Sequence, residues 1–131
     1  MIRYQEGKVV SAADLSTVFA NSGIKRPYQD LERMQKMIDH ADVIISAWDG
    51  DKLVGIARAI TDYAYCCYLS DLAVDKAYQR NGIGKQLVER LRESLGAEVS
   101  LVLLSSPIAV DYYPRIGFTH SDKCYVIARE K

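Results

Sequence analysis

The chain has 131 residues, the size of one domain, with 49% hydrophobic and 26% charged side chains. That balance excludes disordered and fibrous classes and supplies a core that can stand without disulfides or a structural metal. Seventeen Lys and Arg offset seventeen Asp and Glu, which removes the general basic footprint expected for nucleic acid or an anionic membrane.

Ile2 to Gln5 reads as a short strand, and Ser11-Ala12-Ala13-Asp14 as a capping box opening a helix. Leu15, Val18 and Phe19 share one face of that helix, and Gly23 ends it. Asp30 caps a second helix in which Leu31, Met34 and Ile38 recur at helical spacing. Val43 to Trp48 and Lys52 to Ile60 are β-rich runs joined across Asp49-Gly50-Asp51, the pattern of an antiparallel hairpin. After a turn at Asp62-Tyr63-Ala64, a third strand runs from Tyr65 to Val74.

From Ile83 onward, Leu87, Val88, Leu91 and Leu95 mark one face of a helix, Lys85, Glu89, Arg90, Arg92 and Glu93 the other, with Gly96 past its end. Val99 to Leu104 is a near-continuous apolar run, the pattern of a strand covered on both faces, and its strand-helix-strand setting favours a parallel crossover. Ser106-Pro107 reads as the start of a short helix closed by Pro114 and Gly117, and Phe118 to Arg129 as two further strands around His120 to Lys123. The expected order is β-α-α-β-β-β-α-β-α-β-β in one domain over residues 1–131, an α/β (α+β) fold with a mixed, mostly antiparallel sheet.

Cys66, Cys67 and Cys124 show no C-x-x-C spacing and are accompanied by only two histidines. This argues against a metal site and for a reducing compartment. The N-terminus lacks the apolar core of a signal peptide, and no apolar run approaches the roughly 18 residues of a spanning helix. A cytoplasmic location is expected.

Chemistry concentrates in Gln79-Arg80-Asn81-Gly82-Ile83-Gly84-Lys85, between the third long strand and the best-defined helix. Glycines there allow close approach of a ligand to the backbone, and the first free N–H groups of the helix point outward at the positive end of its dipole, a natural seat for pyrophosphate. A bare strand-to-helix turn would carry the same glycines. A P-loop is excluded because Gln79 stands where its first glycine belongs and Gln86 follows Lys85. A dinucleotide fingerprint is excluded because Leu87 occupies the third glycine position.

The stretch Gln79-x-x-Gly82-x-Gly84, after Leu72-Ala73-Val74, resembles the acyl-CoA signature of the Gcn5-related N-acetyltransferase family. Tyr112-Tyr113-Pro114-Arg115-Ile116-Gly117-Phe118 resembles that family's distal aromatic-Tyr-x-x-x-Gly-Phe element. The resemblance implies helices on both faces of the sheet and a splayed parallel strand pair, with acetyl-CoA as cosubstrate and no metal. It places the pantetheine arm against Leu72, Ala73 and Val74, and the pyrophosphate on the N–H groups of Arg80, Asn81, Gly82, Ile83, Gly84 and Lys85. Ser106 stands where many members hold the arm with an Asn; on its own residues it reads as an N-cap.

An amine attacking a thioester must be neutral, and the departing thiolate needs a proton. Tyr113, four residues before Gly117, occupies the family's general-acid position and is also a cofactor contact, with Tyr112 its neighbour in register. Asp71 is the best-placed carboxylate to take the amine's proton, or a solvated or capping group. The resemblance implies an acceptor pocket shaped by variable segments, for which Lys25 to Tyr28, Tyr65 and Tyr68 are the candidates; tyrosines at strand positions also read as sheet-face packing. The leading reading is N-acetylation of a primary amine on a small molecule, by direct attack in a ternary complex. Acetylation of a protein or peptide and a non-catalytic CoA-binding sensor are the alternatives. A homodimer is compatible with either catalytic reading, and neither nucleic acid nor membrane is expected as a partner.

Overall fold

A computed structural model describes residues 1–131. Its sheet has five strands in chain order: β1 (Ile2–Glu6), β2 (Val43–Asp49), β3 (Lys52–Thr61), β4 (Cys66–Val74) and β5 (Ser100–Val102). The first four pair antiparallel, and β4 and β5 pair parallel across α3 (Ile83–Leu95). Between β1 and β2 lie α1 (Ala12–Ser22) and α2 (Leu31–Asp39). Both of their N-terminal signals act as the sequence predicts. Ser11 and Asp14 form a reciprocal capping box, and the Asp30 side chain accepts the Arg33 N–H.

The two faces of the sheet carry separate cores. Leu15, Val18 and Phe19 of α1, with Met34 and Ile38 of α2, pack on Ile44, Trp48 and Ile56. Ile83, Leu87, Val88 and Leu91 of α3 pack on Ile45, Ala57 and Leu69. The sheet is thus layered between α1 and α2 on one side and α3 on the other, as apolar stripes on all three helices require. No helix is long and apolar enough to cross a membrane.

A β-bulge sits between β3 and β4: Arg58 pairs with Asp71 and Ala59 with Leu69, leaving Ser70 as the extra residue. It reverses the alternation of β4. Cys67 and Leu69 face α3, whereas Ala73 belongs to the core under α1 and α2.

The C-terminal third departs from the sequence reading. The strand expected over Val99 to Leu104 is three residues long and covered on one face only: Val99, Leu101 and Leu103 pack against the core under α3, while Val102 and Leu104 are about half exposed. An outer edge without a neighbouring strand leaves it nothing to extend against. The distal helix is two 3-10 turns, Pro107–Ala109 and Tyr113–Ile116, because Pro114 cannot donate the N–H that a continuous helix needs. The two strands expected within Phe118 to Arg129 are not formed, and residues 119–131 are exposed.

Candidate active site

The ladder between β4 and β5 consists of Cys66 with Ser100, Cys67 with Leu101 and Tyr68 with Val102, and stops there. Beyond Tyr68 the two strands part. The edge of β4 that carries Leu72, Ala73 and Val74 is paired to β3 on one side and to no strand on the other. It therefore presents backbone donors and acceptors along a cleft.

At the far end of that edge the chain turns into α3. Gln79 ties the turn to β4, its side-chain amide donating to the Val74 carbonyl at 2.9 Å, and the Asn81 amide donates to the Tyr78 carbonyl at 3.0 Å. Arg80 and Gly82 are both left-handed, at φ 70° and 76°. Left-handed φ is costly for arginine and persists where surrounding structure enforces it. Gly82 is the N-cap of α3 and no side chain caps the helix, so the N–H groups of Ile83, Gly84 and Lys85 have no partner within it. A Cβ built on Gly82 would meet nothing within 4 Å, leaving open space over the turn. One built on Gly84 would lie 2.5 Å from the Tyr112 hydroxyl. The turn thus offers unpaired donors, a helix dipole and room, which fits a pyrophosphate. The Tyr112 contact was not legible in the sequence, since it joins segments far apart in the chain.

Asp71, expected either to take the amine's proton or to be a solvated or capping carboxylate, sits between two guanidinium groups. Its side chain is fully buried, Oδ1 accepting from Arg26 Nε at 2.6 Å and Oδ2 from Arg58 Nε at 2.5 Å. Arg26 Nη2 also donates to the Ser70 carbonyl at 2.9 Å, and Arg58 Nη2 to Ser70 Oγ at 3.0 Å. Both carboxylate oxygens are engaged, because the bulge at Ser70 turns Asp71 toward the α1–α2 loop. The cluster joins that loop to β3 and β4 at the residues where β4 and β5 part. No sequence signal links Arg26 or Arg58 to Asp71 beyond opposite charge.

Tyr113 is half-buried, packed edge-on against Phe118 with ring centroids 5.5 Å apart and against Tyr112 at 5.4 Å. Burial pushes its phenol above the usual tyrosine value, the neighbouring Tyr112 adds to the rise, and the Arg26 guanidinium opposes it. Its proton is therefore firmly held at neutral pH. Tyr112 sets its hydroxyl over Gly84. The Ser106 side chain caps nothing, while its carbonyl accepts from Ser105 Oγ at 2.7 Å. Tyr68 is 41% exposed on β4, and Tyr65 lies just before that strand, also exposed. No group of three or more His, Cys, Asp or Glu side chains could hold a metal ion. A groove of about 710 Å³ lies at the opposite end of α3 from the glycine turn and is lined by Leu95, Leu101 and Phe118.

A family model described as an acetyltransferase (GNAT) domain matches residues 8–126. Among curated relatives, GCN5-related N-acetyltransferase 2 of Arabidopsis thaliana is 41% identical over 51% of this chain and 27% of its own length. A histone acetyltransferase of Glycine max is 36% identical over 51% of this chain and 30% of its own. Serotonin N-acetyltransferase 2 of Oryza sativa is 30% identical over 79% of this chain and 54% of its own. The chain spans less than two thirds of the length of each of these relatives. A crystal structure of a protein of unknown function from meticillin-resistant Staphylococcus aureus superposes with a TM-score of 0.85 at 21% identity, covering 100% of this chain and 99% of the other.

Proposed function

The chain belongs to the GNAT acetyltransferase family, and from that premise we propose that it is an acetyl-CoA-dependent N-acetyltransferase acting on a primary amine of a small molecule. The observation that carries this reading is the alignment of the unpaired β4 edge with the uncapped N-terminus of α3. Together they form a backbone-lined track ending in an anion seat, as a long cosubstrate with a diphosphate requires. Leu72, Ala73 and Val74 hold the arm by main-chain hydrogen bonds, and Arg80, Asn81, Gly82, Ile83, Gly84 and Lys85 hold the pyrophosphate. Gln79 acts by fixing the turn, and Ser106 offers its free hydroxyl to the arm. Residues 1–131 act as one domain.

When bound, acetyl-CoA supplies an activated thioester that a neutral amine attacks directly in a ternary complex. The new C–N bond forms as the C–S bond breaks. Tyr113, its proton firmly held, delivers that proton to the departing sulfur. Asp71 positions rather than abstracts: with both oxygens on guanidinium groups it holds the α1–α2 loop, and with it Tyr28, against β4. The amine's surplus proton passes to water.

The pinned loop favours a compact acceptor over an extended peptide. A CoA-release assay across primary amines, aromatic ones included, and across histone-type peptides tests this. Turnover with small amines supports the reading. Turnover confined to peptides transfers it to a protein acceptor, the substrate class in the Glycine max relative's name. Tight binding of CoA without turnover on either panel would make the chain a cofactor sensor.

A further inference from the structure

The hairpin joining β2 to β3 closes on two opposite charges, Asp49 and Lys52, which face one another in the ladder. Both reach across to one short segment, the 3-10 turn Lys76–Tyr78 and its cap Asp75, which lies between β4 and the glycine turn. Lys52 Nζ stands 3.4 Å from Asp75 Oδ2, and Tyr78 Oη donates to Asp49 Oδ2 at 2.5 Å. The Lys52 ammonium also lies 5.4 Å from the centroid of the Tyr78 ring. The bond from Tyr78 to an ionised carboxylate is charge-assisted, and it holds the phenol above its ordinary value, so the donor keeps its proton at neutral pH.

The segment held in this way is the base on which the glycine turn stands. Asp75 is buried, its N–H donating to the Val54 carbonyl of β3 at 2.8 Å and its Oδ1 accepting the Ala77 N–H at 2.9 Å. The Tyr78 N–H donates to the Asp75 carbonyl at 2.8 Å, and the Tyr78 carbonyl accepts the Asn81 amide. From Tyr78 the chain passes through Arg80 at φ 70° and Gly82 at φ 76° into α3. Arginine keeps a left-handed backbone only where its surroundings enforce it. The fixed points before Arg80 are Gln79, tied to the Val74 carbonyl, and Tyr78, tied to the hairpin. The hairpin's second strand also seats the helix itself: a Cβ on Gly55 would lie 3.0 Å from Ile83 Cγ2 and 3.2 Å from Leu87 Cδ1.

We infer that Asp49 and Lys52 are positioning residues for the cosubstrate, acting through Tyr78 and Asp75 to hold the backbone from Arg80 to Gly82 in the form that aims the free N–H groups of α3 at a diphosphate. The inference rests on the reading of that turn as the pyrophosphate seat. Without the bond to Asp49, the turn gains conformations in which Arg80 leaves the left-handed region. CoA must then select the competent fraction, and its affinity falls by that fraction while the chemistry of the bound state is unchanged. Asp49 and Lys52 belong to strands on the other side of β4 from the cleft, so their effect is confined to the cosubstrate.

Calorimetric titration of the full chain with CoA tests this. Tyr78→Phe and Asp49→Ala are each expected to raise Kd for CoA, and KM for acetyl-CoA, about fivefold to tenfold, the scale of one charge-assisted hydrogen bond at a half-exposed site. With a primary amine that turns over in the CoA-release assay, kcat at saturating acetyl-CoA and KM for the amine keep their values. The double variant should bind no more weakly than either single one, because both remove the same bond. Asp49→Asn keeps an acceptor and should recover most of the affinity, and Lys52→Met should move Kd in the same direction as Asp49→Ala. Asp49 and Lys52 are exposed, so their variants supply folded protein independently of Tyr78→Phe. Unchanged CoA affinity in folded Asp49→Ala overturns the proposal, as do losses that add in the double variant or a fall in kcat with KM for acetyl-CoA unmoved. Gly82→Val, titrated alongside, separates the two readings. If it weakens CoA binding and the hairpin variants do not, the positioning role alone falls; if it too leaves affinity unchanged, the pyrophosphate is not on this turn and the proposal falls with that reading.

Discussion

Arg26 reaches across from the loop between α1 and α2 to Asp71 on β4, Nε to Oδ1 at 2.6 Å, and shares that buried carboxylate with Arg58. Removing one partner of a buried ion pair leaves uncompensated charge, here two guanidinium groups whose side chains are only 24% and 10% exposed. Asp71→Ala should therefore lower the unfolding free energy by about 3–5 kcal/mol, measured by urea denaturation. Arg26→Met should cost less, because Arg58 still meets the carboxylate, and should raise KM for the acceptor through a loosened loop. An Asp71→Asn protein as stable as the original, with loss of rate confined to low pH, would instead identify Asp71 as the proton acceptor.

This cluster also marks the limit of what the sequence disclosed. The caps at Ser11 and Asp30, the hairpin at Gly50 and the α3 stripe rest on contacts within a few residues, and all were legible. The bulge at Ser70 was not. Strict alternation puts Asp71 on the same face as Cys67 and Leu69, and one inserted residue reverses that. The strand-to-helix turn at Gly82 was legible from its glycines, whereas Arg80's left-handed backbone and Tyr112's approach to Gly84 depend on tertiary packing. The two strands expected within Phe118 to Arg129 were misread: β-branched and aromatic composition alone does not form a strand without a neighbour to pair with, and Tyr125, Val126 and Ile127 stay exposed.

The two glycines of the turn should fail in different ways. At Gly82 a side chain meets open space but must adopt φ 76°, so Gly82→Val should fold with reduced stability and raise KM for acetyl-CoA by filling the anion seat. At Gly84 the backbone tolerates any residue, yet a Cβ would lie 2.5 Å from the Tyr112 hydroxyl. Gly84→Ala should displace that ring, and Gly84→Ala with Tyr112→Phe should recover much of the loss. Calorimetric titration with CoA checks both; unchanged affinity in a folded Gly82→Val protein would remove the pyrophosphate from this turn.

Asp62 organises the entry to β4, its Oδ1 accepting the N–H groups of Ala64, Tyr65 and Cys66 at 2.9, 2.8 and 3.1 Å. Those backbone donors hold its carboxyl down at about 2, from an ordinary 3.8. A depressed folded-state value means the turn's stabilisation is complete above pH 3.8 and lost as pH falls through about 2. An NMR titration of the Asp62 carboxyl should find its midpoint near 2. A midpoint at the ordinary value would show that the three donors are not engaged in solution.

Tyr113 should reveal itself in the chemical step. Phenylalanine keeps the ring and its edge-on packing against Phe118 but removes the phenolic proton, so CoA affinity should hold while single-turnover acetyl transfer slows. General acid catalysis contributes roughly 10²- to 10⁴-fold, and a thiolate leaves tolerably without help, which points to the lower end of that range. Because burial and Tyr112 raise the phenol above its ordinary value, the acid is present throughout the neutral range. The unaltered enzyme should lose rate only at high pH as this proton is lost, and Tyr113→Phe should lack that alkaline limb. Tyr112→Phe should change CoA affinity and leave the limb in place, since its hydroxyl lies over Gly84. If the limb and the rate loss follow Tyr112 instead, the two tyrosines exchange roles; if both survive in each variant, water protonates the sulfur.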